Sequence, residues 1–318
     1  MDRDIGSDDQ RDPGPERDHR HQPIGLARAG NTFSADASPT RPAERPRTLP
    51  DQLIDRQAQP RRADELARGV DRTRDLDRDR QINQTALETA REIGRFRMLA
   101  VDDLGRLQYG GDATAAARDL QSLDTHGFIE RRTIWAGHGQ GKIEFVALTT
   151  QGKRLLEREY SGTDQVFYKR FVKPAEILHD AAIYRMFKAE ADRIEQAGGK
   201  VRRVVLDYEL KQKAYSPLAK ARALPAAEYA RRQEEIAQDN GLKVVQGHIA
   251  LPDLRIEYET SSGQQTHEDL ELATEHYRGS HLASKAEAGF KLYASRADAG
   301  HLSSVLEERE ITAEIFSL

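Results

Sequence analysis

The segment Leu251-Pro252-Asp253-Leu254-Arg255-Ile256-Glu257-Tyr258-Glu259 alternates apolar and polar side chains, as a half-buried strand does. Ser261-Ser262-Gly263 turns the chain, and Asp269-Leu270-Glu271-Leu272-Ala273-Thr274 reads as the returning strand. On that second strand, period two puts Asp269 and Glu271 on one face and Leu270 and Leu272 on the other. An antiparallel hairpin of this length brings Asp253 near Glu271. Two convergent carboxylates with a carbonyl oxygen suit Mg2+, which prefers oxygen ligands and keeps several waters. Asp253 and Glu271 are therefore the candidate metal ligands.

Upstream of the hairpin, helical period marks a long helix from Ala175 to about Ala197, stopped by Gly198-Gly199. Its inner stripe is His179, Ile183, Met186, Glu190 and Ile194. A carboxylate amid apolar residues is costly to bury unpaired. Glu190 is thus either a catalytic-site residue or the partner of a buried base. Val201 to Leu210 reads as a strand, 211–225 as a connection containing Pro217, and Ala226 to about Asn240 as an amphipathic helix. Downstream, Leu282 to Tyr293 reads as a helix carrying Lys285, and His301 to Leu318 as a packing or dimerisation segment.

The hairpin resembles the PD-(D/E)xK nuclease superfamily, in which the Asp after Pro and the acid of the next strand bind metal. A Lys two residues beyond that acid steers or activates water. Here that position is Ala273, which puts cleavage in question. Lys285, on the next helix, is the candidate replacement; its alternative is a surface or ion-pair lysine. The resemblance implies a catalytic set of Asp253, Glu271, Lys285 and Glu190 in a restriction-endonuclease-like α/β domain over 165–300, with a mixed central sheet.

Residues 81–160 form a second unit. Thr85 with Glu88 has capping-box spacing, and Leu87, Ala90, Ile93 and Phe96 recur at helical period. A second helix opens at Asp102. A third runs from Asp112 to about His126, and Gly127 stops it. Two strands, Phe128 to Ile134 and Ile143 to Thr149, flank a glycine-rich turn over 137–141, and a last helix spans about Thr150 to Tyr160. This order resembles a winged helix-turn-helix, as does Ala117-Arg118-Asp119-Leu120-Gln121-Ser122-Leu123 followed by Gly127-Phe128-Ile129. A helix of this kind fits the major groove of double-stranded DNA. Thr114, Arg118 and Gln121 are the candidate base-reading residues, and Arg131, Arg132 and Lys142 the candidate phosphate contacts. Winged helices also serve protein contacts. Acidic and basic side chains balance over 81–160, whereas phosphate neutralisation normally supplies much of DNA affinity.

The winged unit, a helix beginning His179-Asp180, then Pro252-Asp253, Glu271 and Lys285 together resemble the replication-relaxation family of plasmids and integrative conjugative elements. That resemblance spans about 84–295. It implies an accessory or initiator role in replication or mobilisation, with relaxase or replication proteins as partners. The alternative is a transcriptional regulator whose nuclease-like domain is an inactive dimerisation scaffold.

Composition limits the rest. The chain has 318 residues, 37% hydrophobic and 32% charged, a net charge of −4 and no cysteine. Disulfides, thiolate nucleophiles and Cys-ligated zinc are excluded. There is no apolar run of membrane-spanning length and no apolar segment at the N-terminus, so the expected location is cytoplasmic. Residues 1–80 are rich in Arg, Asp and Pro and read as a disordered polyampholyte tail or an arm for DNA or a partner. No glycine-rich phosphate loop or serine nucleophile elbow occurs, and His276 and His281 lack metal-site spacing. The expected class is α+β: tail, winged helix, then nuclease-like domain.

Overall fold

Strand alternation and helical period place the site by deciding what each side chain faces. A computed structural model describes residues 82–135, 141–171 and 177–318. The tail over 1–80 and most of the glycine-rich turn lie outside the described residues. The fold is mixed α+β.

The first helices are α1 (Gln84–Arg95), α2 (Val101–Leu107) and α3 (Ala113–Thr125). Asn83, not Thr85, caps α1: its side chain accepts from the Ala86 N–H at 2.7 Å. Asp112 caps α3 in the same way, through the Ala115 N–H. Leu99–Ala100 is a short strand, β1. It pairs antiparallel with β3 (Lys142–Leu148), which also pairs with β2 (Ile129–Trp135), giving the order β1-β3-β2. α4 (Thr150–Glu159) follows, capped by Thr149. Ile93, Leu104, Leu120, Leu123, Val146, Leu148 and Leu156 fill the space between these helices and the sheet.

The larger part begins with α5 (Ile177–Gln196) and β4 (Lys200–Leu206). Helix α6 (Asp207–Lys220) replaces both the last part of the expected strand and the expected connection, and it runs through Pro217. An internal proline costs roughly 3 kcal/mol in a helix. Leu210, Ala214 and Leu218 recur every four residues and bury themselves against Val205, Ile236 and Ala237, which offsets that cost. Next come α7 (Ala226–Asp239), the small hairpin β5 (Val244–Val245) and β6 (His248–Ile249), and then β7 (Leu254–Glu259) and β8 (Gln265–Ala273). α8 (Gly279–Ala288) ends at Gly289, whose φ of 89° is left-handed backbone that glycine adopts without a Cβ penalty. Lys291 to Ala294 is therefore a strand, β9, and Tyr293 lies outside the helix expected to carry it. α9 (Arg296–Glu308) and β10 (Ile315–Ser317) complete the chain.

The main sheet has the order β10-β9-β8-β7-β4. β4, β7 and β8 pair antiparallel, while β9 and β10 run parallel to β8, so the sheet is mixed. One face packs on α5 through Leu254, Ile256, Leu270, Leu272 and Tyr293. The other packs on α6 and α7 through Val205 and on α8 and α9 through Ala273, Leu292 and Ala294. The C-terminal segment is thus a packing element on the sheet edge.

The two parts share one apolar core. Phe96 touches Tyr184 and Phe187 of α5, with ring centroids 5.2 and 4.9 Å apart. Arg185 reaches Asp103 at 2.8 Å. The Gln165 amide closes the free edge of β4, donating to Val204 O and accepting from Val204 N–H, both at 2.9 Å.

Candidate functional site

The C-terminal end of β4, the start of β7 and the C-terminal end of β8 meet at one end of the main sheet's strands. Register explains why acids collect there. Leu254 pairs with Leu270 and Arg255 with Asp269, so Asp253 and Glu271 continue the next row on the face carrying Arg255 and Asp269. Asp253 Oδ2 accepts the Leu272 N–H at 3.0 Å, and Asp253 O accepts the Asp207 N–H at 3.1 Å. These bonds tie the loop before β7 to β8 and to the start of α6.

Glu271 is 1% exposed. Its Oε1 accepts from Lys285 Nζ at 2.6 Å and from the Tyr277 hydroxyl at 2.7 Å, while Oε2 is buried with no hydrogen-bond partner. Burial, and then the negative charge of Asp253, push its pKa up to about 7 despite Lys285. Burial and the Glu271 charge also raise the Tyr277 phenol above its ordinary value. Lys285 Nζ makes a second bond, to Leu251 O at 2.9 Å. The lysine of α8 therefore reaches the carboxylate from the helix. Ala273, two residues beyond Glu271 on β8, is buried against Leu282 and Leu302.

Asp253, Glu271 and Lys285 line one cavity of about 500 Å³. Glu190 does not join them. It lies on the α5 face of the sheet, where Lys291 Nζ and the Tyr293 hydroxyl donate to its two oxygens at 2.7 and 2.5 Å. Lys291 and Tyr293 pair with Leu270 and Leu272, whereas Leu292 pairs with Glu271. Strand alternation thus puts Glu190 and Glu271 on opposite faces. Of the two roles open to Glu190 from the sequence, the geometry gives it the buried ion pair.

Two residues, His179 and Asp207, stand at the site without having been among its catalytic candidates. His179, in the first turn of α5, stands 3.6 Å from Asp253 Oδ2 and 3.7 Å from Asp180 Oδ1. Its polar side-chain contacts with Asp180 and then Asp253 push its pKa up to about 10, against burial. Asp207 begins α6 and pairs with Lys211 at 2.5 Å and Arg97 at 3.5 Å. The available signal for Asp207 was its position directly after the apolar run Val204-Val205-Leu206, at the end of a strand beside the hairpin.

In the first part, Thr114, Arg118 and Gln121 follow steps of four and three and are all exposed on one face of α3. The Arg118 side chain is 65% exposed, and its Nε donates to the fully buried Asp119. Asp119 also accepts from Tyr109, so α3 is tied to the turn before it. The expected phosphate contacts divide. Arg131 and Arg132 are adjacent on β2 and point to opposite faces. Arg131 is engaged by Asp124 at 3.5 Å and Glu144 at 3.2 Å, which uses its charge within the fold. Arg132 is exposed with its guanidinium 4.4 Å from the Phe171 ring centroid, and Lys142 is exposed at the start of β3.

Among the described residues no group of three or more His, Cys, Asp or Glu side chains is placed to hold a metal. The donors present are two carboxylates, one with an unsatisfied buried oxygen, beside the Leu251 carbonyl. That set fits a hard cation with several waters. No helix among the described residues is long and apolar enough to cross a membrane. Comparison with protein-family profiles, curated proteins and solved structures found no match.

Proposed function

We propose that the chain is a DNA-binding accessory or initiator protein of a plasmid or mobile element, acting in replication or conjugative mobilisation. A winged helix over 81–160 reads duplex DNA, and a nuclease-like domain over 165–300 acts on it. The observation that carries this reading is the convergence of Asp253, Glu271 and Lys285 on one cavity. A mixed sheet with the hairpin β7-β8 at its centre, followed by helix α8 and the parallel strand β9, agrees with it, as does the exposed face of Thr114, Arg118 and Gln121.

In this reading Asp253 and Glu271 hold a Mg2+, which when bound supplies an activated water and offsets charge on a phosphodiester. The protein prepares that place. Asp253 is fixed by the Leu272 N–H, and the unpaired Glu271 oxygen faces no competing donor. Lys285 holds the other Glu271 oxygen in position. Arg118, with its forked donors, is the guanine reader.

A second reading has its own support. The Lys285 ammonium already bridges Glu271 and the Leu251 carbonyl, and so neutralises the carboxylate that would recruit a cation. That arrangement favours a regulator with an inactive scaffold domain. Origin-containing supercoiled plasmid, incubated with and without Mg2+ and scored for retardation and nicking, separates the readings. Nicking that needs Mg2+ and vanishes in Asp253→Ala supports the nuclease. Retardation indifferent to Mg2+ with no nicking supports the scaffold, and absence of retardation removes both.

A further inference from the structure

A second cavity, of about 680 Å³, meets the first at Asp253. Asp207, Lys211 and Asp253 line both. Helix α6 runs past the pair: Tyr208 borders the larger cavity, Tyr215 the smaller, and Lys211 stands between them. Steps of three and four place these side chains on one face, and seven residues separate the two rings by roughly 10 Å along the axis. Tyr208 is 58% exposed and Tyr215 47%.

A single exposed aromatic is ordinary. Two on one helix face, flanking a lysine and leading to a carboxylate site, make a graded surface. The Arg97 guanidinium lies 5.6 Å from the Tyr208 ring centroid, which steadies the ring from one side. Around the larger cavity, Arg97, Lys169, Arg170 and Lys211 outnumber Asp180, Asp207 and Asp253. Flat rings alternating with cations suit unpaired bases joined by phosphates. In a duplex both faces of each base are covered by its neighbours, so such rings offer a duplex nothing to stack on.

We propose that α6 floors a trough for single-stranded DNA, whose bases stack on Tyr208 and Tyr215 and whose backbone is led to Asp253. This rests on the reading of the Asp253 site as one that handles DNA, and it narrows the substrate there to an unpaired strand. Duplex contact belongs to α3, on the other part of the chain.

The test uses the full chain and fluorescence anisotropy with a labelled mixed-sequence oligodeoxynucleotide of roughly twelve nucleotides, within the usual span of single-strand grooves. Removing one stacked ring weakens such binding by about tenfold. The expected result is binding that falls by about a hundredfold in Tyr208→Ala/Tyr215→Ala and persists in Tyr208→Phe/Tyr215→Phe, with duplex retardation unchanged in both. Equal affinity in the double alanine variant overturns the trough, as does no binding by the unaltered chain. So does a mononucleotide that competes as well as the oligonucleotide. Single-strand binding without duplex retardation would instead sink the proposed function and leave the trough standing.

Discussion

Glu190 and Glu271 are both buried carboxylates with a lysine and a tyrosine as partners, on opposite faces of one sheet. At Glu190 the two donors divide between two oxygens, so each lone-pair centre is met. At Glu271 both donors converge on Oε1 and leave Oε2 bare. Lys291 also reaches Glu268 at 3.4 Å, whereas Glu271 faces a second acid, Asp253, whose charge raises its pKa. Buried polar groups in folded proteins are nearly always satisfied. The contrast therefore separates a carboxylate that holds the fold together from one that the fold keeps unsettled beside a cavity.

The largest effect should come from removing the settled one. Glu190→Ala leaves the Tyr293 hydroxyl without its acceptor and Lys291 with only Glu268, and should cost about 3–5 kcal/mol, the range for breaking a buried pair. Glu271→Ala takes the acceptor from the Tyr277 hydroxyl but leaves Lys285 with the Leu251 carbonyl and removes the bare oxygen, so it should cost roughly 1–2 kcal/mol. Urea unfolding of the two variants decides it, and equal losses would erase the distinction.

The pH dependence of stability sharpens it next. Glu271 has a folded pKa of about 7 against 4.5 for an ordinary glutamate. The folded state thus holds this proton more tightly than the unfolded state. Its contribution is present below pH 4.5 and is lost as pH rises through 7, by on the order of 3 kcal/mol. His179, with a folded pKa of about 10 against 6.5, adds stability that is full below 6.5 and is lost as pH rises through 10. Glu271→Gln should flatten the stability profile between pH 4.5 and 7 and leave the alkaline limb in place. An unchanged acid limb would mean that Glu271 is no less settled than Glu190.

Magnesium gives a third, slightly smaller contrast. At pH 8, saturating the site to about a hundred times its dissociation constant should stabilise the folded chain by about 2.7 kcal/mol. The increment should disappear in Glu271→Gln, while Glu190→Gln should retain it on a lower baseline. Thermal unfolding with and without Mg2+ reads this without any DNA.

The same pair shows what could be read from the residues alone. Period two in the hairpin was enough to bring Asp253 beside Glu271, because a strand has only two faces and the turn fixes the register. Helical period placed Glu190 on the inner stripe of α5, but an inward stripe does not say which face of a sheet it will meet. That depends on the layer order of the whole domain, set by contacts far apart in sequence. Lys291 and Tyr293 fall within the helix read over Leu282 to Tyr293 because Leu282, Ala286 and Tyr293 share a helical period, and Gly289 breaks it with a left-handed turn. Leu99–Ala100 is a strand only because β3 lies beside it, and two residues carry no period of their own. Pro217 pointed to a loop, and burial of Leu210, Ala214 and Leu218 overrode it. At the mouth, Asp207 and His179 belong to elements 28 residues or more apart in the chain, so no local pattern could join them to Asp253.

The smallest expected effect isolates the cause of the unsettled state. Burial is the leading reason for the raised Glu271 pKa and the Asp253 charge is the next. Asp253→Asn keeps the shape and the Leu272 N–H acceptor but removes the charge. The Glu271 pKa should then move down towards the ordinary carboxylate range without reaching it, because burial remains. A displacement of one pKa unit would correspond to about 1.4 kcal/mol of interaction between the two acids. Carboxyl carbon chemical shifts followed through pH in Asp253→Asn and in the unaltered chain measure the displacement. No displacement would show that the two acids are electrostatically independent. Two carboxylates that do not sense each other at this distance would be separated by screening water, and the cavity would then lack the low-dielectric coupling that a shared cation needs.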